Sequence, residues 1–153
     1  MAGSRDRIIL TEAEQRELLE AARVLQVASI GPDGRPHLVP MWFVHDDDGL
    51  LAFTTYGAAQ KVKNLERDPR VTVLAETGTA YNELRGISID GRAEIVRDPP
   101  RTARVLQLVG ARYGDRPRPD PDPSLDPPPA AYKRVTVRIH PERIRSWDHR
   151  KLG

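Results

Sequence analysis

Apolar spacing changes period several times along the chain, and each change marks an element. Leu18, Leu19, Ala22 and Leu25 recur at helical intervals behind Thr11 and Glu14. That spacing puts a single apolar stripe on a helix. The T-x-x-E pair is a capping box, in which each side chain satisfies an orphan amide of the first turn. A helix is expected over 11–22. From residue 24 to 55 the helical period gives way to short runs of β-branched and aromatic residues. Two turns interrupt them, Gly31-Pro32-Asp33-Gly34 and Asp46-Asp47-Asp48-Gly49; proline presets φ, and glycine takes φ > 0 without a Cβ clash. Three strands joined this way make an antiparallel meander. In "HLVPMWFV" both faces are apolar, so that strand is expected to be buried on both sides. Pro40 cannot donate to a ladder, which equally suits an edge or a bulge.

Residues 57–64 are helical by composition, and "RVTVLAE" returns to strand with Val71, Val73 and Ala75 on one face. "ELRGISIDGRAEIVRD" is strand again. Its Asp90-Gly91 reads as a hairpin turn or as a bulge in one long bent strand; barrels use such bulges to curl, and the bulge is favoured. Asp98 caps a further amphipathic helix, with prolines in its first turn where they cost no hydrogen bond. Val105, Leu108, Val109 and Arg112 keep helical spacing in it. Half of the 14 prolines then fall in "GDRPRPDPDPSLDPPPAAY". Residues 115–131 are expected to be an extended surface loop, because proline suits neither a sheet ladder nor a helix interior. "KRVTVRIHPERI" alternates Val135, Val137 and Ile139 against Thr136, Arg138 and His140, the pattern of a last, half-buried strand. The final "PERIRSWDHRKLG" reads as a tail. The expectation is a mainly β, six-stranded antiparallel split β-barrel with a few short flanking helices. It forms a single domain over 1–153, since closing the sheet removes exposed edges.

Composition narrows the function classes. Charged residues are 30% of the chain, yet the net charge is only +2, so acidic and basic residues interleave as on a solvated surface. Aromatic residues are 5%, too few for a single-strand stacking platform, and no nucleic acid partner is expected. No apolar run approaches the roughly 18 residues that span a bilayer. The first residues lack the apolar core and cleavage site of a signal peptide; a cytoplasmic location without membrane contact is expected. There is no cysteine, which excludes disulfides, thiolate metal sites and a cysteine nucleophile. His37 and His45 lie too far apart on one strand to share an ion, and no metal site is expected. Ser, His and Asp residues show no nucleophilic arrangement, so no catalytic residue is assigned.

Three stretches carry candidate chemistry, each beside a plainer reading. Thr54, Thr55, Lys61 and Lys63 surround a strand-to-helix corner. Hydroxyls, lysines and the amides of a helix start can hold a phosphate; equally, Thr55 caps a helix whose lysines face water. Pro40 leaves an open acceptor beside a flat ligand walled by Met41 and Trp42, or is an ordinary edge proline. Trp147, His149, Arg150 and Lys151 reach over a neighbouring subunit's anionic cofactor, or form a solvated tail anchored by Trp147.

Taken in order, "VASIGPDGRPHLVPMWFV", "LLAFTTYGAAQKVKNLERDPRVTVL" with its K-x-x-N-L helix and D-P-R-V, "GISIDGRAEIV" and "RIRSWDHRKL" resemble the split β-barrel pyridoxamine 5′-phosphate oxidase-like family, which binds FMN or the deazaflavin coenzyme F-420. The resemblance implies a homodimer with two cofactor sites at its interface and a small-molecule substrate. It implies that Thr54, Thr55, Lys61 and Lys63 hold the phosphate, with Gln60 in the same cofactor-binding set. Val39, Pro40, Met41 and Trp42 line the ring, and Trp147 and Arg150 come from the second subunit. Asn64 is expected to brace the helix. Ala59 and Gln60 stand where pyridoxal-phosphate-forming enzymes carry arginine or serine, so the chain looks closer to the actinobacterial, F-420-dependent branch. The implied function is an oxidoreductase that moves hydride from reduced F-420 to a conjugated organic substrate. The alternatives are an FMN-dependent oxidase or reductase of the same fold, and a non-enzymatic flavin- or haem-binding module.

Overall fold

The computed structural model describes residues 3–117, 120–124 and 126–153. Five α-helices are present among them: α1 (Ser4–Arg7), α2 (Glu12–Ala21), α3 (Gln60–Arg67), α4 (Pro99–Tyr113) and α5 (Pro129–Lys133), with short 3-10 turns at Tyr81–Glu83 and His149–Leu152. The strands are β1 (Leu25–Ile30), β2 (Pro36–Met41), β3 (Val44–His45), β4 (Leu51–Tyr56), β5 (Arg70–Thr77), β6 (Arg85–Val96) and β7 (Arg134–Asp148). They form one sheet in the order β2-β1-β5-β6-β7-β4-β3, antiparallel at every pair.

The seventh strand comes from a break in "HLVPMWFV". β2 and β3 are opposite edges of the sheet, yet only Trp42 and Phe43 separate them. The sheet must therefore curl until its edges approach, while remaining split between them. At the break, the Tyr113 hydroxyl accepts from Phe43 N–H and donates to Phe43 C=O, both at 3.1 Å, and replaces the ladder. The expected burial of this stretch on both faces is corrected. Leu38 is 63% exposed, and Pro40 lies on an edge strand, where its missing N–H leaves no ladder bond unmade.

β6 and β7 do most of the bending. β6 is one long strand, which removes the hairpin reading; its register with β7 slips opposite Asp90/Gly91, but the extra residue is Glu142 of β7, so the bulge lies in β7 and not in β6. Gly91 sits against the His140 carbonyl, leaving no room for a Cβ. β7 continues through the stretch read as a tail: Ser146 opposes Ile87, Trp147 opposes Gly86 and Asp148 opposes Arg85. The half-buried reading of β7 is also corrected. Thr136 and Arg138 are buried as well as Val135, Val137 and Ile139, because α4 covers the outer face; Thr102 of α4 bonds Thr136 at 2.9 Å.

The core lies inside the curl, built from Leu18 and Leu19 of α2, Val62 and Leu65 of α3, and Val27, Phe43, Phe53, Val73, Ile87 and Val137. Phe43 and Phe53 are wholly buried, each worth about 1.5–3 kcal/mol of transfer free energy. α2 starts on the expected capping box of Thr11 and Glu14. Asp98 caps α4 by accepting from Arg101 N–H, with Pro99 and Pro100 in the first turn. The Pro-rich stretch is not loop throughout: Pro129 opens the short α5, where a first-turn proline is tolerated. Among the described residues, no helix is long and apolar enough to cross a membrane.

Candidate functional site

The site begins where β4 ends. Thr54 and Thr55 are buried in its last turn of ladder, and Tyr56 opposes Arg134 across the β4–β7 pair. Gly57 N–H donates to Lys133 C=O at 3.1 Å, which brings the α5–β7 junction against the β4–α3 corner. α3 starts three residues later than composition suggests, at Gln60, with Ala59 as its N-cap and no side chain capping it. The reading of Thr55 as a helix cap is thereby removed. The Lys61 ammonium instead donates to Thr55 Oγ1 at 3.0 Å.

Arg134 completes the corner. Its guanidinium lies 4.5 Å from the Tyr56 ring centroid, and Nη1 is 3.5 Å from both Thr54 O and Thr54 Oγ1. Burial, and then the Arg134 charge, push the Lys61 ammonium below its ordinary pKa. Among the described residues no carboxylate pairs with Lys61 or Arg134. Arg97, which lies against Gly57, is by contrast neutralised by Glu66. Lys61 on the Thr55 hydroxyl and Arg134 beside the Thr54 hydroxyl, on the two sides of one strand end, are half-buried cations without a counter-ion, which an anion stabilises. The donor set of ammonium, guanidinium and two threonine hydroxyls fits a phosphate group.

The other sequence candidates divide. Gln60 is exposed and donates to Asn64 Oδ1 at 2.8 Å. Asn64 is buried and donates to Ser29 Oγ at 3.1 Å, bracing α3 on β1 as expected. Lys63 is exposed, two residues on from Lys61 and so about 200° round α3 from it. Val39 and Met41 are half-buried opposite the core residues Val27 and Leu25, whereas Pro40 points the other way. Trp42 leaves the strand and stacks on Tyr113 of α4, centroids 4.5 Å apart and planes 6° from parallel.

Trp147 and Arg150 are bound into their own chain. The Trp147 ring crosses Gly86, where any Cβ would overlap it. Arg150 makes a two-pronged pair with Asp148, with Nε–Oδ1 2.9 Å and Nη2–Oδ2 2.7 Å. His149 Nδ1 donates to Tyr81 C=O at 2.8 Å, and Lys151 pairs with Glu14 at 2.7 Å. The structure thus gathers Thr54, Thr55 and Lys61 and leaves Gln60, Lys63, Trp147 and Arg150 apart from them. Arg134 was missed by sequence reasoning. Its signal was faint: it precedes a cleanly alternating strand, and only the β4–β7 register sets it beside Tyr56.

Comparison with known proteins agrees with this architecture. A structure of the conserved hypothetical protein Rv2991 from Mycobacterium tuberculosis is 44% identical, with a TM-score of 0.85 over 99% of this chain and 93% of that one. A structure of an F-420 reductase is 28% identical, with a TM-score of 0.64 over 84% of this chain and 94% of that one. Among curated proteins, the haem oxygenase HutZ of Vibrio cholerae is 28% identical over 109 residues, 68% of this chain. The match spans about three fifths of that relative's length (61%). The family model described as Pyridoxamine 5′-phosphate oxidase matches residues 11–148, from the α2 capping box to the end of β7. With the match running through every strand of the curled sheet and through the cation corner, the chain belongs to the pyridoxamine 5′-phosphate oxidase family.

Proposed function

We propose that this protein is an oxidoreductase that binds coenzyme F-420, with FMN as the alternative, and passes hydride to a small conjugated organic substrate. The observation that carries the reading is the uncompensated Lys61–Arg134 pair beside Thr54 and Thr55. Phosphate is the group common to both cofactors, and the 28% identity to an F-420 reductase favours the deazaflavin. When bound, the deazaflavin supplies the hydride chemistry. The chain's own groups do the rest. Lys61 and Arg134 neutralise the phosphate, Thr54 and Thr55 orient it, and Val39 and Met41 of the β2 edge offer an apolar wall to the ring. A second copy of the chain, supplying Trp147 and Arg150 across an interface, and a cytoplasmic setting belong to the same proposal.

Fluorescence titration of the purified protein with F-420 and with FMN tests this reading. Tighter binding of F-420 is expected, followed by its oxidation in the presence of enone or quinone acceptors. Tighter FMN binding reverses the cofactor assignment, and failure to bind either ends the redox reading. The similarity to HutZ supports a second reading, a haem-binding module. A Soret shift on haem titration, without affinity for either flavin-type cofactor, would select it.

A further inference from the structure

A third cation stands on the Lys61 side of the corner. Thr55 opposes Val135, a core residue, so its hydroxyl lies on the core side of the sheet. Lys61 reaches Thr55 there at 3.0 Å. A Cβ on Gly57 would point to the same side, 3.6 Å from Val135 Cγ1 and 3.5 Å from Arg97 Nη1. The Arg97 guanidinium therefore sits on the core side too, just past the end of β6. Side chains on alternate residues of a strand stand roughly 7 Å apart, which sets Arg97 about one repeat from Lys61. Arg134 acts on Lys61 from the other side of the strand end.

The charge of Arg97 is already matched. Its Nη2 donates to Glu66 Oε1 of α3. Lys61 and Glu66 flank the buried Val62 and Leu65 on the helix surface. One helix thus carries a cation into the corner and a carboxylate onto the cation beside it. The Arg97 and Glu66 side chains are 54% and 47% exposed, and an ion pair so wetted adds little to folding stability. Its consequence is electrostatic. On the Lys61 side it leaves one uncompensated positive charge where there would be two.

That difference matters more to one kind of phosphate than to another. A monoester brings two negative charges and three free oxygens, a diester one charge and two free oxygens. Coulomb energy scales with ligand charge, so withholding a cation costs the monoester more. We propose that Glu66 is a specificity-determining residue, which by holding Arg97 disfavours a phosphate monoester relative to a phosphodiester. The inference rests on the cofactor reading above and deepens it, since FMN ends in a monoester and F-420 carries a diester. Glu66 acts through Arg97 and touches neither ligand.

Fluorescence titration of the full chain with FMN, riboflavin 4′,5′-cyclic phosphate and riboflavin varies the phosphate charge on one constant ring. Glu66→Gln should tighten FMN about tenfold and the cyclic diester about threefold, with riboflavin unchanged within about twofold. Threefold per charge is the scale of a unit charge roughly 7 Å away under water-like screening. Both gains should shrink as salt is raised. Arg97→Gln, which strips the carboxylate of its cation, should weaken FMN by a similar factor. The double variant should return FMN to within about threefold of wild type. Both residues are exposed, so the variants should fold, and riboflavin affinity reports that they have. Unchanged FMN affinity in Glu66→Gln overturns the inference. So does an equal gain for all three flavins, or a gain that survives in the double variant. If neither flavin nor deazaflavin binds, calorimetry with inorganic phosphate decides. A tighter complex in Glu66→Gln then upholds the role of Glu66 and removes only the cofactor reading; no gain overturns both.

Discussion

At the scale of single residues, Lys61 is held at a cost. Burial and the Arg134 charge lower its pKa, so between the folded and the ordinary value the unfolded chain binds more protons than the folded one. Stability on this account rises with pH through that interval, and the charged Lys61 is a burden at neutral pH until an anion arrives. Lys61→Met is therefore expected to raise the melting temperature of the cofactor-free protein by about 1–3 °C. The same change is expected to weaken F-420 or FMN by about 1–3 kcal/mol, the scale of a charge-assisted hydrogen bond. Riboflavin, which lacks the phosphate, should be unaffected. Calorimetry with each ligand checks all three, and equal losses for FMN and riboflavin would return Lys61 to an ordinary structural role. Arg134→Gln should follow the same pattern, since the two cations act on one group.

At the scale of elements, the β6–β7 ribbon is organised by close contacts that leave little slack. Gly86 has no side chain because the Trp147 ring occupies its place, across a pair of opposed residues. Gly86→Ala is expected to push Trp147 off the strand and destabilise by about 1–3 kcal/mol, the range for overpacking; denaturant unfolding with tryptophan emission reads both. Near the other end, Arg138 ties β7 to the β3–β4 turn and to β6. It pairs with Asp46 at 2.7 Å, Asp48 at 2.5 Å and Glu94 at 2.9 Å, and its side chain is 11% exposed. The alternation of β7 marks Arg138 as a solvent-side residue. It is buried because α4 lies over that side and the acidic turn folds onto it. Such a tie is invisible to a period-two pattern, which records spacing and not what packs above.

At the scale of the whole molecule, two kinds of group set the response to acid. His45 is half-buried, and burial first, then Arg112, lower its pKa, so the unfolded chain takes up a proton there before the folded one does. Stability should begin to fall as pH drops below about 6.5. Carboxylates act lower. Asp68 is held at about 2 by the Arg70 side chain; Asp90, Glu94 and Asp148 are lowered chiefly by bonds to Arg145, His140 and Arg150. Their contribution is whole above about pH 4 and is lost as pH falls through their folded values. Melting temperature against pH should show both descents, and His45→Gln should erase the upper one alone. A single descent unchanged by that variant would show that His45 ionises freely in the folded state.

Local chemistry, written in consecutive residues, was settled by the sequence itself. The Thr11–Glu14 capping box, the Asp98 cap with its prolines and both glycine turns all follow from residues acting on nearby backbone. The four motif-bearing stretches, taken in order, sufficed for the family. Tertiary structure decided whatever depends on residues distant in the chain. It put β2 at an edge although its residues are apolar, and it extended β7 through the supposed tail. It set Arg134 opposite Tyr56 and laid Trp42 on Tyr113. Hydrophobic periodicity tells which side of an element is covered, while register and packing, fixed only when the sheet curls, tell what covers it.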